Sequence, residues 1–282
     1  MDYNRHFLPT DEYLAGRKKC LVPYDKIWQH IHRGSNPELQ NREVTWSTYW
    51  SSYVQTYLER DVAQLINLKD KLAFTTFLTA VAARTGQILN YSAVASEVGK
   101  TVATIKEWVS VLLASGLVIL LPPYASSALH RAIKTPKLYF RDTGLVCYLT
   151  RWLTPDALRV SAMNGCIFET FVVSEILKSF TNAGCDYRFS VFYYQGKDKR
   201  RVRQNGMAES LESEIDLVIL ENGTLYPIEI KMSASPDATM AQAFEVLDRD
   251  QTKVRGKGAI VCLYDKLTHL RDNLVAVPIE YI

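Results

Sequence analysis

Glu214-Ile215-Asp216-Leu217-Val218-Ile219-Leu220-Glu221-Asn222-Gly223-Thr224-Leu225-Tyr226-Pro227-Ile228-Glu229-Ile230-Lys231 is the stretch that decides the fold of this chain. Two apolar, β-prone runs flank Asn222-Gly223, a pair suited to a two-residue hairpin turn because both residues tolerate positive φ. Glu214 to Leu220 therefore reads as one strand, Thr224 to Met232 as the next. Side chains alternate along a strand, so Glu214 shares a face with Asp216, and Glu229 with Lys231. Closing the hairpin brings Asp216 and Glu229 to the same end. Two carboxylates there repel one another unless a cation lies between them. Mg²⁺ or Mn²⁺ accepts such oxygen ligands, together with the Ile230 carbonyl and water. Water bound to such a cation is a nucleophile near neutral pH, and Lys231 is suited to orient it or to stabilise charge on a phosphate. Asp216, Glu229 and Lys231 thus form the candidate catalytic set for phosphodiester hydrolysis, with Glu214 in support.

Outward from this hairpin, Cys166 to Ser179 reads as an amphipathic helix and Tyr187 to Tyr194 as an aromatic strand. A polar loop spans Gly196 to Ser213. Ser235-Pro236-Asp237 supplies the N-cap and first position of a helix running to about Leu247. Ala259 to Tyr264 is read as the last buried strand. The order is α-β-β-β-α-β, an α/β arrangement (α+β over the whole chain) with layers around one mixed sheet. The loop cations Lys197, Lys199, Arg200, Arg201 and Arg203 read either as a solvated loop or as an arm that holds phosphates.

Upstream, spacings of three and four predict helices over Thr45 to Lys69 and over Leu72 to Thr85, the latter closed by Gly86. A short helix from Ser92 to Val98, the turn Gly99-Lys100-Thr101 and a helix from Val102 to Ala114 follow. Strands Leu117 to Leu121 and Lys137 to Phe140 complete the plan of a winged helix-turn-helix. Its second helix offers Lys106 beside Glu107, a weak phosphate-binding face. Asp142 is read as the N-cap of a helix to Trp152. The expected organisation is an N-terminal helical segment over 1–71, the winged helix over 72–140 and the α-β-β-β-α-β domain over 141–282.

Composition excludes other classes. The net charge is 33 − 30 = +3 over 282 residues, so overall basicity makes no case for nucleic acid. The five scattered cysteines contain no C-x-x-C pair, and His30 and His32 lack a second ligand pair, which argues against disulfide or zinc frameworks. Gly99-Lys100-Thr101 looks like the end of a P-loop, but Val94 stands where its first glycine belongs and a helix precedes it, so no ATP is expected. The apolar run from Val109 to Leu121 is too short for a membrane span. A cytoplasmic protein with no membrane partner is the expectation.

Asp216, Glu229 and Lys231 resemble the D…(D/E)-x-K motif of the PD-(D/E)xK nuclease superfamily, whose restriction-endonuclease-like core is α-β-β-β-α-β. Gly165-Cys166-Ile167-Phe168-Glu169 resembles the G-x-x-x-E of its Holliday-junction-resolvase-like members, a likeness that implies Glu169 as a further metal ligand. A wider pattern, Tyr53 to Val62, Arg84-Thr85-Gly86-Gln87 and Lys134 to Leu145, is similar to the C-terminal half of AAA-type ATPases bearing the domain of unknown function 4143. Those relatives carry a P-loop ATPase module upstream. The resemblance therefore implies a fragment or truncated copy whose residues 1–71 are a remnant linker. The likeness of Asp216, Glu229 and Lys231 to the nuclease motif implies a Mg²⁺-dependent nuclease or nuclease-like DNA-processing protein. The alternative is a degenerate nuclease fold serving as a DNA- or protein-binding regulatory module of an ATPase system.

Overall fold

A computed structural model describes residues 5–17, 26–41, 43–57, 70–125, 135–202 and 208–282, with side chains 197–212 outside that description. The chain is mixed α/β and divides into two compact units, one of residues 1–24, 121–136 and 175–282, the other of 25–120 and 137–174.

In the second unit, α2 (Ile27–Arg33) and α3 (Trp46–Tyr53) precede α4 (Lys71–Ala82), β1 (Gln87–Ile88), α5 (Tyr91–Val98) and α6 (Val102–Ala114). The unit continues with β2 (Val118–Leu121), β3 (Lys137–Phe140), α7 (Thr143–Leu149) and α8 (Pro155–Arg159). The turn between α5 and α6 follows from local chemistry. Gly99 adopts φ +69 at the end of α5, and the Thr101 hydroxyl accepts the Thr104 N–H to start α6. The apolar stripe of α6 places Trp108 edge-on to Phe74 and Phe77, each 5.2 Å away, in a core shared with α4. β1, β3 and β2 form a three-stranded sheet in that order. The expected helix over 45–69 is α3 followed by a π-helical turn over 54–57, and 58–69 lie outside the described residues. Gly86 does not cap α4, which ends at Ala82. Its N–H instead reaches the Leu138 carbonyl at 2.7 Å, which starts the β1–β3 pairing. The Asp142 cap of α7 is in place, accepting the Gly144 N–H.

The first unit opens with α1 (Asp11–Gly16) and is built on a mixed sheet. Its strands are β4 (Val191–Val202), β5 (Ala208–Glu221), β6 (Thr224–Lys231), β7 (Val254–Arg255), β8 (Gly258–Cys262), β9 (Thr268–Arg271) and β10 (Leu274–Pro278). The order is β4-β5-β6-β8-β10-β9, with β7 also on β6. β4, β5 and β6 are antiparallel, while β6, β8 and β10 are parallel. Helix α9 (Asn164–Asn182) precedes the sheet, and the division between the units falls within it. A 3₁₀ segment, Ala238–Arg249, packs Ala241, Phe244 and Leu247 into a core with Phe192, Ile215, Val218 and Ile260.

Four expectations change. The strand expected at 187–194 is a 3₁₀ turn over Tyr187–Phe189 followed by β4. The stretch expected as a polar loop at 196–213 is mostly paired backbone, because β4 and β5 extend outward as a ladder from Lys199↔Leu211 to Val202↔Ala208. Main-chain pairing imposes no demand on side-chain polarity, so a polar sequence sustains a strand there. The helix expected from Ser235 begins later and is 3₁₀, with Asp237 rather than Ser235 accepting the cap hydrogen bond from Thr239. The strand expected as the last, at 259–264, is β8, and β9 and β10 follow it.

Candidate active site at the fork of β5 and β6

The hairpin turn follows the sequence closely. Asn222 and Gly223 take φ +49 and +79, and Glu221 pairs with Thr224 around them. The ladder runs to Leu217↔Ile228 and stops, while β6 continues along β8 to Lys231↔Cys262. Asp216 lies at this fork. Its Oδ2 accepts the Ile230 N–H at 2.7 Å, so a side chain replaces the main-chain acceptor lost where the strands part. On the other side of β5 the register shifts. Phe192 pairs with Val218 and Tyr194 with Ile215, leaving Asp216 and Leu217 opposite Tyr193 alone. Such a bulge re-aims side chains and is over-represented beside active sites.

Asp216 and Glu229 are 6% and 7% exposed. Glu229 Oε1 meets Lys231 Nζ at 2.5 Å, and the lysine side chain is 44% exposed. Glu229 Oε2 is buried and has no hydrogen-bond partner among the described residues. Burial first, and then the neighbouring Asp216, push the Glu229 carboxyl up to about 8 against the opposing pull of Lys231. Glu214, exposed on β5, adds to the upward push. A buried carboxyl oxygen with no donor, beside a second carboxylate, suits a hard cation. Mg²⁺ commonly takes one or two protein carboxylates and completes its shell with water and substrate phosphate. Among the described residues, no group of three His, Cys, Asp or Glu side chains is placed to hold a metal ion.

Glu169 stands on α9, where its Oε1 accepts the Tyr139 hydroxyl at 2.6 Å and the Lys137 ammonium at 3.2 Å. Lys137 is only 3% exposed. Sequence reasoning did not single out this lysine and tyrosine as partners. Their two-residue spacing on β3, which puts both on one face, was the available signal. Lys106 is exposed on α6, with its Nζ 5.8 Å from the centre of the Tyr91 ring. Lys197, Lys199, Arg200 and Arg201 lie on β4, where Arg200 pairs with Ser210 and Arg201 with Glu209 along the backbone. Arg203 lies outside the described residues.

Comparison with known proteins adds family matches without an activity. Residues 24–156 match the Domain of unknown function (DUF8612), and residues 164–282 match the Domain of unknown function (DUF4143). The chain is similar to the uncharacterized protein Mb2031c of Mycobacterium bovis and to the uncharacterized protein Rv2008c of Mycobacterium tuberculosis. Each is 26% identical over 259 residues, which is 92% of this chain and 53% of the relative. The chain thus spans about half the length of these curated relatives. No solved structure matches it. Among the described residues, no helix is long and apolar enough to cross a membrane.

Proposed function

We propose that the fork of β5 and β6 is the site of divalent-cation-dependent hydrolysis of nucleic-acid phosphodiesters, in a nuclease-like unit of the PD-(D/E)xK kind. The observation that carries this reading is Glu229, a buried carboxyl with an unpartnered Oε2 beside Asp216 and in contact with Lys231. The match of residues 164–282 to the domain of unknown function 4143 agrees with the resemblance to proteins that bear that domain.

A divalent cation bound at this site would supply a water that ionises near neutral pH and would offset phosphate charge. Asp216 and Glu229 are the residues that would hold it, Glu229 as the carboxylate. Lys231, partly exposed at the mouth, orients the attacking water and stabilises charge on the phosphate. Asp216 also fixes the Ile230 backbone, so its carboxylate is positioned before any substrate arrives.

A degenerate nuclease fold that binds DNA or protein without cutting is the second reading. It is favoured by the absence of a third metal-capable side chain among the described residues. The two readings are separated by incubating the chain with duplex, single-stranded and branched DNA in Mg²⁺, in Mn²⁺ and in chelator. Cleavage that requires the cation is expected, together with a rise in melting temperature on adding it. Asp216→Ala should abolish both effects, whereas Lys231→Ala should keep the thermal shift and lose cleavage. A thermal shift without cleavage selects the degenerate reading, and the absence of both refutes the site.

A further inference from the structure

Along α3 and the turn after it, Thr45, Thr48, Tyr49, Ser52, Tyr53 and Thr56 recur at spacings of three and four, which puts them on one face. That face lines a cavity of about 510 Å³ in the second unit, together with Glu43 and with Glu38 of the 3₁₀ turn Pro37–Gln40. We infer that this cavity docks a basic peptide segment of a partner protein, holding an arginine guanidinium against the Tyr49 ring and the carboxylates of Glu38 and Glu43. The site belongs to a different unit from the fork of β5 and β6, and it stands whether or not that fork hydrolyses phosphodiesters.

Charge complementarity names the occupant. Both glutamates are exposed, and among the described residues neither side chain has a hydrogen-bond or ion-pair partner. The Arg33 guanidinium does not line the cavity and is engaged by the carbonyls of Leu39, Asn41 and Val44. The N-terminal end of α3 carries about half a positive charge, which two full carboxylates outweigh. Burial first, and then the carboxylates of Glu38 and Asp142, push the Tyr49 hydroxyl up, so this ring lies in a negative field. Ring placement selects a guanidinium. Trp50, 1% exposed, packs edge-on to Tyr49 at 5.0 Å and to Tyr53 at 5.4 Å, and the two tyrosine rings lie nearly parallel, 6.1 Å apart. The core thus fixes both rings while each stays half-buried. A planar guanidinium stacks on such a face and forks onto a carboxylate, whereas an ammonium is a compact point charge. Shape favours a peptide over a small amine. From Thr45 to Thr56 the face runs about 16 Å at the helical rise per residue. Its hydroxyls both donate and accept, as the main chain of an extended peptide requires. Thr45 is the N-cap of α3 yet makes no side-chain cap hydrogen bond, which leaves its hydroxyl to a ligand.

The test is fluorescence anisotropy of the full chain with a labelled tetra-arginine peptide, with unlabelled tetra-arginine, tetra-lysine and spermidine as competitors. Tetra-arginine should bind, and tetra-lysine should displace it only at about fivefold higher concentration than unlabelled tetra-arginine. Tyr49→Ala should weaken binding by about fivefold, while Tyr49→Phe retains it. Glu38→Gln together with Glu43→Gln should weaken binding by about tenfold and flatten its salt dependence. Melting curves of each variant confirm folding, and if Tyr49→Ala unfolds, the exposed glutamate pair and the preference for arginine over lysine decide. No binding by the wild type, or binding that the glutamate substitutions leave unchanged, would overturn the inference. Equal affinity for arginine and lysine peptides would mark a diffuse acidic surface and overturn it as well. Displacement by spermidine as readily as by tetra-arginine would assign the cavity to a small polyamine, and binding of a labelled oligonucleotide that Tyr49→Ala weakens would assign it to nucleic acid; either overturns the peptide site.

Discussion

The Glu229 carboxyl, pushed up to about 8 by burial and by Asp216, makes the metal-free protein respond to pH in a definite direction. In the unfolded chain this group titrates near its ordinary value of 4.5. Between those two values the native state keeps a proton that the unfolded state has released. Stability is therefore greatest at the acid end of this window and falls as pH rises toward 8. Glu229→Gln should flatten that slope and stabilise the metal-free protein near pH 8 by on the order of a few kcal/mol. Urea denaturation in chelator at pH 5, 6.5 and 8 checks this, and a slope unaltered by the substitution would remove the buried-carboxyl argument. At the same scale, Glu169 shows why residue type alone does not assign a role. A glutamate at a metal-like spacing is held by a buried lysine and a tyrosine hydroxyl, partners supplied by β3.

Among the elements, the β5–β6 hairpin depends on its turn, because both central residues have positive φ. Gly223→Ala places a side chain in the left-handed region at a cost of about 1–2 kcal/mol. The Cβ itself meets nothing within 4 Å, so the expected loss is purely conformational. Equilibrium denaturation should show that loss without a change in denaturant slope, since the surface exposed on unfolding stays the same. A loss above that range would mean that the turn also supports the fork at Asp216. The β4 edge is treated differently: the Tyr124 N–H and the Pro122 carbonyl pair with Tyr193, so segment 122–124 covers main-chain groups that an open edge would expose.

Across the whole molecule, the compact units are interleaved along the chain. The unit carrying the fork draws on residues 1–24 and 121–136 as well as 175–282. Phe7 is fully buried there, edge-on to Tyr13 at 5.5 Å, and its N–H reaches the Ser179 hydroxyl at 2.9 Å. Lys257 pairs with Asp11 at 2.6 Å, and Arg17 donates to the Tyr281 carbonyl at 3.1 Å. Phe7→Ala in the intact chain should cost about 3 kcal/mol or more, the range for removing a buried aromatic ring. A fragment of residues 141–282 should unfold with a shallower, less cooperative transition than the full chain, because it lacks these contacts and the pairing of segment 122–124 with Tyr193. Calorimetry of both proteins tests this, and an equally cooperative fragment would show the N-terminal packing to be incidental.

The sequence by itself determined the features that act over a few residues. Asn222-Gly223 specifies the hairpin turn, Gly99 and Thr101 the break between α5 and α6, and Asp142 the start of α7, because positive φ and cap hydrogen bonds are local demands. That Asp216 and Glu229 come to the same end of the hairpin was legible for the same reason, since strand alternation and a two-residue turn leave one register. Only the tertiary structure decided what depends on distant partners. β10 lies between β8 and β9, although β9 precedes it in the chain, and the polar ends of β4 and β5 are strands because they pair with each other. The bulge opposite Tyr193, the salt bridge between Lys137 and Glu169, and the unpartnered Oε2 of Glu229 arise the same way. Backbone pairing and desolvation are set by neighbours far away in sequence, and local pattern carries no record of them.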